Sequence, residues 1–377
     1  MPERRPPARD GFRERRFDQS LTVVAAVGAG GAVERQRERR SSRFLRSRTP
    51  TVGWRTELVQ LDDAEEHDLA PDPRAWERAL AECEELLVAS RRARAGIVVE
   101  RAARRYENSE GVREAWTTSW CDALVEVRSR PGEPARIACS CAEIDQLASR
   151  IAAGLTVLER HAARLRRPPS PPPARARLLL RPRVAAILLH ELVGHGAEEG
   201  LGIATGALPL LADAVHPRGE GHDDEGVRIE AVRLLGDDRR RDPLGDRESG
   251  SGRPSGLAQA PPHGASPRVR CTHLTVRATD PAAPLGDDRE AIVCESAAAA
   301  ELRGEAAVVR VDVAHRGSRA IAPFDLALTA TGLADGLTAV GEAVGAQLGR
   351  CTKGGDTLPT STATPALLLD GVPVTAA

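Results

Sequence analysis

Six consecutive residues, His190-Glu191-Leu-Val-Gly194-His195, hold most of the chemistry this chain could perform. Neutral imidazoles bind zinc well, and a hydrolytic zinc site needs three protein ligands, an open position for water and a carboxylate to take the water's proton. His190 and His195 are two candidate ligands, and Glu191 is the candidate carboxylate. The common metalloprotease helix spaces its histidines four apart on one face. Here the step is one residue longer. At about 100° per residue, five residues leave two side chains roughly 140° apart on an α-helix, too divergent to share an ion. A π-type turn would realign them, and Gly194 lowers the helical preference where the turn must widen. Two unconnected histidines at a helix end fit the same pattern, so a third ligand has to decide the matter.

The elements that must position this motif are legible nearby. Leu178-Leu-Leu180 reads as a strand, Pro182 suits a first helical position, and the apolar run Val184 to Leu189 leads into His190. Before it lies Arg166-Arg-Pro-Pro-Ser-Pro-Pro-Pro173, which can continue neither helix nor strand and reads as a stiff extended linker. The expected layout is a strand-rich segment at 1–70 with a basic leader, a helix–strand–helix domain at 71–167, the linker at 168–176 and a C-terminal domain at 177–377. The expected class is α+β: an N-terminal α/β unit with long helices, then a mainly antiparallel β domain carrying the histidine helix.

Within the first half, Leu21 to Ala26 suggests a strand and Gly28 to Gly31 a turn. The basic run Glu34 to Arg48 reads as a solvated or partly disordered face. Trp76, Leu80, Cys83, Leu86 and Leu87 recur at helical spacing behind Asp72 as a cap. Residues 96 to 128 alternate as two strands about the Asn108 to Gly111 turn. Ser140 to Glu143 has the form of a capping box opening a helix whose Ile144, Leu147, Ile151, Leu155 and Leu158 share a face and which ends near Arg167. In the second half Ala307 to Val313 and Ala366 to Val374 read as strands. The polar stretch Arg218 to Pro261 reads as a long functional or mobile loop.

Basic and acidic side chains nearly cancel, 53 against 54, so no global field favours nucleic acid or an anionic membrane. No apolar run is long enough to cross a bilayer, and the seven cysteines form no disulfide framework, which together suggest a cytoplasmic protein. Cys139-Ser-Cys141 is too closely spaced for a zinc knuckle, and Cys121, Cys271 and Cys294 read as small buried apolar residues. Lys353 is the sole lysine.

The string Leu188-Leu-His-Glu-Leu-Val-Gly-His-Gly-Ala-Glu198 resembles the TldD/PmbA metallopeptidases, whose active members carry His-Glu-x-x-x-His in a longer string ending Gly-His-Gly-x-Glu. Cys351-Thr-Lys353-Gly-Gly and Thr364 to Gly371 are similar to that family's C-terminal segment, whose cysteine is the third zinc ligand. Asp223 to Gly226 is similar to another family string, and Pro267-Arg-Val-Arg270-Cys-Thr272, less closely, to one more. The good matches span roughly residues 176 to 230 and 345 to 377, in a chain about a fifth to a quarter shorter than typical members. Leu192 and Glu199 depart from the pattern without removing a ligand.

The resemblance implies Zn2+ held by His190, His195 and Cys351, with Glu191 as general base on zinc-bound water. A thiolate ligand makes that water a weaker acid than three neutral ligands would, so Glu191 matters more. It further implies a peptidase for unfolded or leader peptides, working as a homodimer or as a heterodimer with a paralogous subunit. Glu198 is either a partner of a ligand histidine or a solvated carboxylate. Lys353 either stabilises an oxyanion or, the favoured reading, fixes the Cys351 loop. His216, His222, Asp223, Asp224 and Glu225 are a possible second metal cluster but read better as a surface turn. Two rival functions remain: a non-catalytic partner or peptide-binding subunit, and a purely structural zinc site.

Overall fold

The computed structural model describes residues 12–28, 33–49, 53–60, 73–90, 92–128, 134–201, 208–236, 244–248, 253–264, 266–279, 285 and 289–377. The first half builds a six-stranded sheet from β1 (Arg13–Gly28), β2 (Val33–Thr49), β3 (Gly53–Gln60), β4 (Ala93–Asn108), β5 (Arg113–Val127) and β6 (Ala135–Cys141). Its order is β3-β2-β1-β4-β5-β6, and every neighbouring pair is antiparallel. The unit is therefore an antiparallel sheet with helices against it, where α/β layering was expected. Helices α1 (Pro73–Ala89) and α2 (Leu147–Arg164) pack with the sheet through Trp76, Leu80, Cys83, Leu87, Leu147, Ile151 and Leu158.

The long strands β1 and β4 change their buried face partway along. In β1 the odd residues Leu21, Val23, Ala25 and Val27 are buried at one end, and the even residues Glu14, Arg16 and Asp18 at the other. Side chains alternate across a strand, so these two sets lie on opposite faces. β4 repeats the switch, from Ala95, Ile97 and Val99 to Ala102, Arg104 and Tyr106. One end of the sheet thus buries an apolar face under the helices. The other end buries a charged face, whose Arg16, Arg46 and Arg104 reach residues of the segment 224–264.

Three local expectations need correction. The basic run Glu34 to Arg48 is strand β2: Gln36 and residues 38–40 are solvated as expected, but Ser42, Phe44 and Arg46 are buried because β1 and β3 flank them. Ser140 does not cap a helix; it sits in β6 and its hydroxyl donates to Asp122 at 2.7 Å. A 3-10 turn at Ile144–Gln146 intervenes before α2, which ends at Arg164. The proposed cap Asp72 and residues 29–31 of the expected turn lie outside the described residues, while Gly28 ends β1.

The second half forms a ten-stranded sheet in which β7 (Arg175–Leu180) is central, parallel to Ile292–Arg303 on one side and antiparallel to Asp356–Ala376 on the other. Most other pairings are antiparallel, as expected, with His273–Ala278 against Asp356–Ala376 the second parallel one. The proline-rich stretch joins α2 to β7 and is tethered by a parallel bridge from Ser170 to Ile321. Helix α3 (Pro182–Leu189) lies in the main core of this half, with Val184, Ala185, Leu188 and Leu189 buried among Leu178, Val309, Leu326 and Leu367. Full burial of each such leucine stabilises by about 1.5–3 kcal/mol, which anchors the helix that delivers the histidines. Among the described residues no helix is long and apolar enough to cross a membrane.

Candidate metal centre

α3 starts abruptly because Arg181 is extended and Pro182 presets the first helical dihedral. After Leu189 the backbone widens, and His190–His195 is a π-helical turn. Gly194 is needed there for a second reason besides weak helical preference. A Cβ at that position would lie 3.3 Å from the Cys271 carbonyl oxygen and 3.3 Å from Leu274 Cδ1, so the glycine lets the widened turn press against the neighbouring segment.

The turn places the two imidazoles with ring centroids 4.9 Å apart and planes 79° from parallel. Cys351 arrives from the strand Leu337–Lys353, which turns back at Gly354-Gly355 and pairs with Asp356–Ala376 so that Cys351 faces Leu358. His190, His195 and Cys351 are all buried, and one donor atom from each lies within 4.8 Å of the others. His195 Nε2 is 3.1 Å from Cys351 Sγ. Both ring nitrogens of His190 are buried and have no hydrogen-bond partner among the described residues. Two imidazole nitrogens and a sulfur suit a borderline-soft ion, and an imidazole nitrogen without a hydrogen-bond partner among the described residues is available to bind one. The residues fit a metal.

Their electrostatics follow from burial. His190 is pushed down to about 3, first by burial and then by His195 beside it. Burial alone would lower His195 too, but its hydrogen bonds to Cys351 and Glu198 prevail and raise it to about 10. Glu191 lies 3.8 Å from His195 Nε2, and burial raises its carboxyl above the usual range. Glu198 Oε2 bonds His195 Nδ1 at 2.9 Å and Lys353 Nζ at 2.8 Å, while Oε1 accepts the Cys271 N–H at 2.6 Å. These bonds overcome burial and hold Glu198 down at about 2. Lys353 also pairs with Glu199 at 2.7 Å. The lysine thus ties the Cys351 strand to the end of the histidine turn.

The sequence reading missed one residue at this site. Arg270 Nη2 lies 3.2 Å from Cys351 Sγ, and only the weak match at Pro267 to Thr272 marked its segment. Cys121, Cys271 and Cys294 are buried as expected. Glu191, His195, Glu199, Lys353 and Cys351 open onto a cleft of about 810 Å³, whose far wall is Ala299 to Leu302 with Glu305.

The acidic string reads differently in three dimensions. Asp223, Asp224 and Glu225 are buried, so they form no surface turn. Among the described residues the one group of three or more His, Cys, Asp or Glu able to hold a metal is His190, His195 and Cys351. Asp224 instead meets Arg104 at 2.5 Å, and Glu225 meets Arg46 at 3.0 Å. Asp223 accepts the N–H groups of Glu225, Val227 and Ala258 at 2.9–3.0 Å, and His222 pairs with Glu114. Residues 237–243 and 249–252 of the polar stretch lie outside the described residues.

No protein-family model matches this sequence, and no curated protein matches it. Solved structures do. TldE from Thermococcus kodakarensis is similar at 12% identity with a TM-score of 0.71, covering 97% of both chains. A proposed modulator of DNA gyrase from Thermotoga maritima is similar at 10% identity and 0.66, covering 97% of this chain and 96% of that one. Another from Bacteroides thetaiotaomicron is similar at 11% and 0.59, covering 97% and 95%. The chain therefore has the fold of these three structures over 97% of its length. Against these three it is not the shortened version that the sequence comparison suggested, since each is covered almost completely.

Proposed function

We propose that this chain is a zinc-dependent peptidase for unfolded or leader peptides, with His190, His195 and Cys351 holding the ion and Glu191 as general base. The observation that carries the reading is His190, a buried imidazole with no hydrogen-bond partner among the described residues, beside a second imidazole and a thiol. Leaving such a group unsatisfied costs about 1–3 kcal/mol, and a shared cation removes that cost at the one ring nitrogen that binds it. A zinc ion there would supply Lewis acidity toward a peptide carbonyl and toward water.

The chain's own residues do the rest. Glu191, with its carboxyl raised by burial, takes the proton of the attacking water and passes it to the leaving amine. Glu198 fixes the His195 ring through Nδ1, leaving Nε2 toward Cys351. Lys353 neutralises Glu198 and Glu199. The cleft supports an extended substrate. One wall is the Ala299–Leu302 stretch, and the other is Arg350–Lys353. Each belongs to a strand paired on one edge only at that point among the described residues. A peptide added along either edge is held by main-chain hydrogen bonds, which are indifferent to its sequence. The resemblance adds a cytoplasmic homodimer, or a heterodimer with a paralogous subunit, to the proposal.

The test is zinc content together with cleavage of an unstructured peptide, for wild type and Glu191→Gln. Stoichiometric zinc in both, with cleavage by wild type alone, is the expected result. Zinc without cleavage in either would make the site structural. A zinc-free wild type that binds peptides without cutting them would make the chain a peptide-binding subunit.

A further inference from the structure

Arg270 is buried, yet among the described residues it forms no ion pair with a carboxylate. Its Nη2 lies 3.2 Å from Cys351 Sγ and 3.4 Å from the Cys351 carbonyl oxygen, and Nη1 lies 3.4 Å from the Lys353 carbonyl oxygen. Burying a guanidinium against carbonyls alone is expensive, and it becomes tolerable where a negative group completes the set. A cysteine bound to a metal is a thiolate, which places that charge at the end of the guanidinium.

Its neighbours act on the same centre. The Cys271 N–H bonds Glu198 Oε1 at 2.6 Å, and Glu198 orients His195. The Cys271 carbonyl is the group against which Gly194 closes. The segment is itself pinned, since Gln259 Nε2 donates to the Arg270 carbonyl at 2.8 Å and Arg270 N–H donates to Leu257. Two consecutive residues therefore touch the sulfur, the carboxylate behind one imidazole and the turn that carries both imidazoles.

We propose that Arg270 is a positioning residue for the metal centre, its guanidinium fixing Cys351 toward His190 and His195 and drawing electron density from the sulfur. The inference rests on the reading of Cys351 as a ligand. An N–H donor on a thiolate weakens its donation to the ion, so Arg270 restores part of the Lewis acidity that a thiolate ligand removes.

Cobalt(II) in place of zinc makes this measurable, because a cobalt–thiolate bond has a sulfur-to-metal charge-transfer band. Arg270→Gln is expected to bind cobalt about 10–100-fold more weakly, because losing the fixed orientation of Cys351 outweighs the stronger donation of a bare thiolate, and to move the band to longer wavelength, since an unstabilised sulfur lone pair gives up its electron more easily. Arg270→Lys, which keeps the charge but cannot reproduce three contacts, should move both in the same sense by less. A merely structural role would lower thermal stability and leave the band in place. Unchanged affinity and band in a folded Arg270→Gln overturn the proposal, and if that variant does not fold, an unchanged band in Arg270→Lys does so. If wild type with bound cobalt shows no sulfur band, the assignment of Cys351 as a ligand fails and takes this inference with it.

Discussion

Two buried polar clusters lie in this molecule, and they solve the same problem in opposite ways. Around Asp223 to Glu225 the carboxylates have internal partners: Glu14 and Glu225 share Arg46, Asp18 lies between Arg16 and Arg104, Asp224 takes Arg104 and Arg218, and Asp223 accepts three backbone N–H groups. Around His190 the protein assembles two imidazoles and a thiol, all buried, and among the described residues leaves the His190 ring with no hydrogen-bond partner. Both sets are rich in potential metal ligands. The lesson is that a buried cluster is read by what completes it: internal countercharge makes a structural interlock, whereas unpartnered donors facing one another could hold a cation.

The largest effect should come from the carboxylate beside the second cluster. Glu191→Gln is expected to lower peptide cleavage by about 10²–10⁴-fold with zinc content and melting temperature unchanged, as measured by steady-state kinetics and elemental analysis. Equal activity in wild type and variant would remove Glu191 from the chemistry.

The first cluster should answer with stability instead. Arg46→Met strands Glu14 and Glu225 in the interior, and breaking a buried pair from one side costs about 3–5 kcal/mol. Urea titration should show that loss while folded protein still binds zinc. A loss under about 1 kcal/mol would mean the carboxylates are hydrated or protonated, and the interlock would then be weaker than its geometry.

Metal removal sharpens the contrast. Zinc at about 100 times its dissociation constant should stabilise wild type by about 2.7 kcal/mol, an increment lost with a chelator. His190→Leu should abolish the increment yet leave the metal-free protein at least as stable as metal-free wild type, because the idle ring is replaced by an apolar side chain in an apolar core. A metal-free variant markedly weaker than metal-free wild type would show that His190 has a structural partner.

The smallest expected effect is on the acid limb of the pH dependence. Burial alone would raise Asp224, but Arg104, His216 and Arg218 outweigh it and hold its carboxyl at about 2, below the ordinary 3.8. Its folded value is depressed, so its contribution of about 2 kcal/mol is complete above pH ~4 and is lost as pH falls through ~2. Glu225 has the opposite sign. Burial lifts it to about 8 against the pull of Arg46, so stability is lost as pH rises from its ordinary 4.5 toward that value. Urea midpoints at pH 2.5, 5 and 8 should therefore peak in the middle. Asp224→Asn should flatten the acid limb, and an acid limb as steep as that of wild type would detach Asp224 from it.

What the sequence by itself determined is what depends on neighbours along the chain. The five-residue spacing of His190 and His195 demands a widened turn, because an α-helix cannot aim both rings at one point, and the backbone there is π-helical. The apolar run of α3 and the strands about Asn108 to Gly111 are local in the same sense. Cys351 was found through its motif, while its approach to His195 depends on a strand pairing 156 residues away in sequence.

Tertiary structure alone decided the rest. Arg46 and Arg104 sit in strands that read as solvated or ordinary, and they find Glu225 and Asp224 at separations of 179 and 120 residues. No periodicity in the acidic string announces those partners, so a charged run read alone defaults to water. Gly194 is legible as a weak helix former, but its close approach to Cys271 is a contact between segments. Arg270 faces a sulfur rather than solvent for the same reason. A charge is settled by whatever the fold brings to it, and that is a property of distance in space, which the order of residues does not contain.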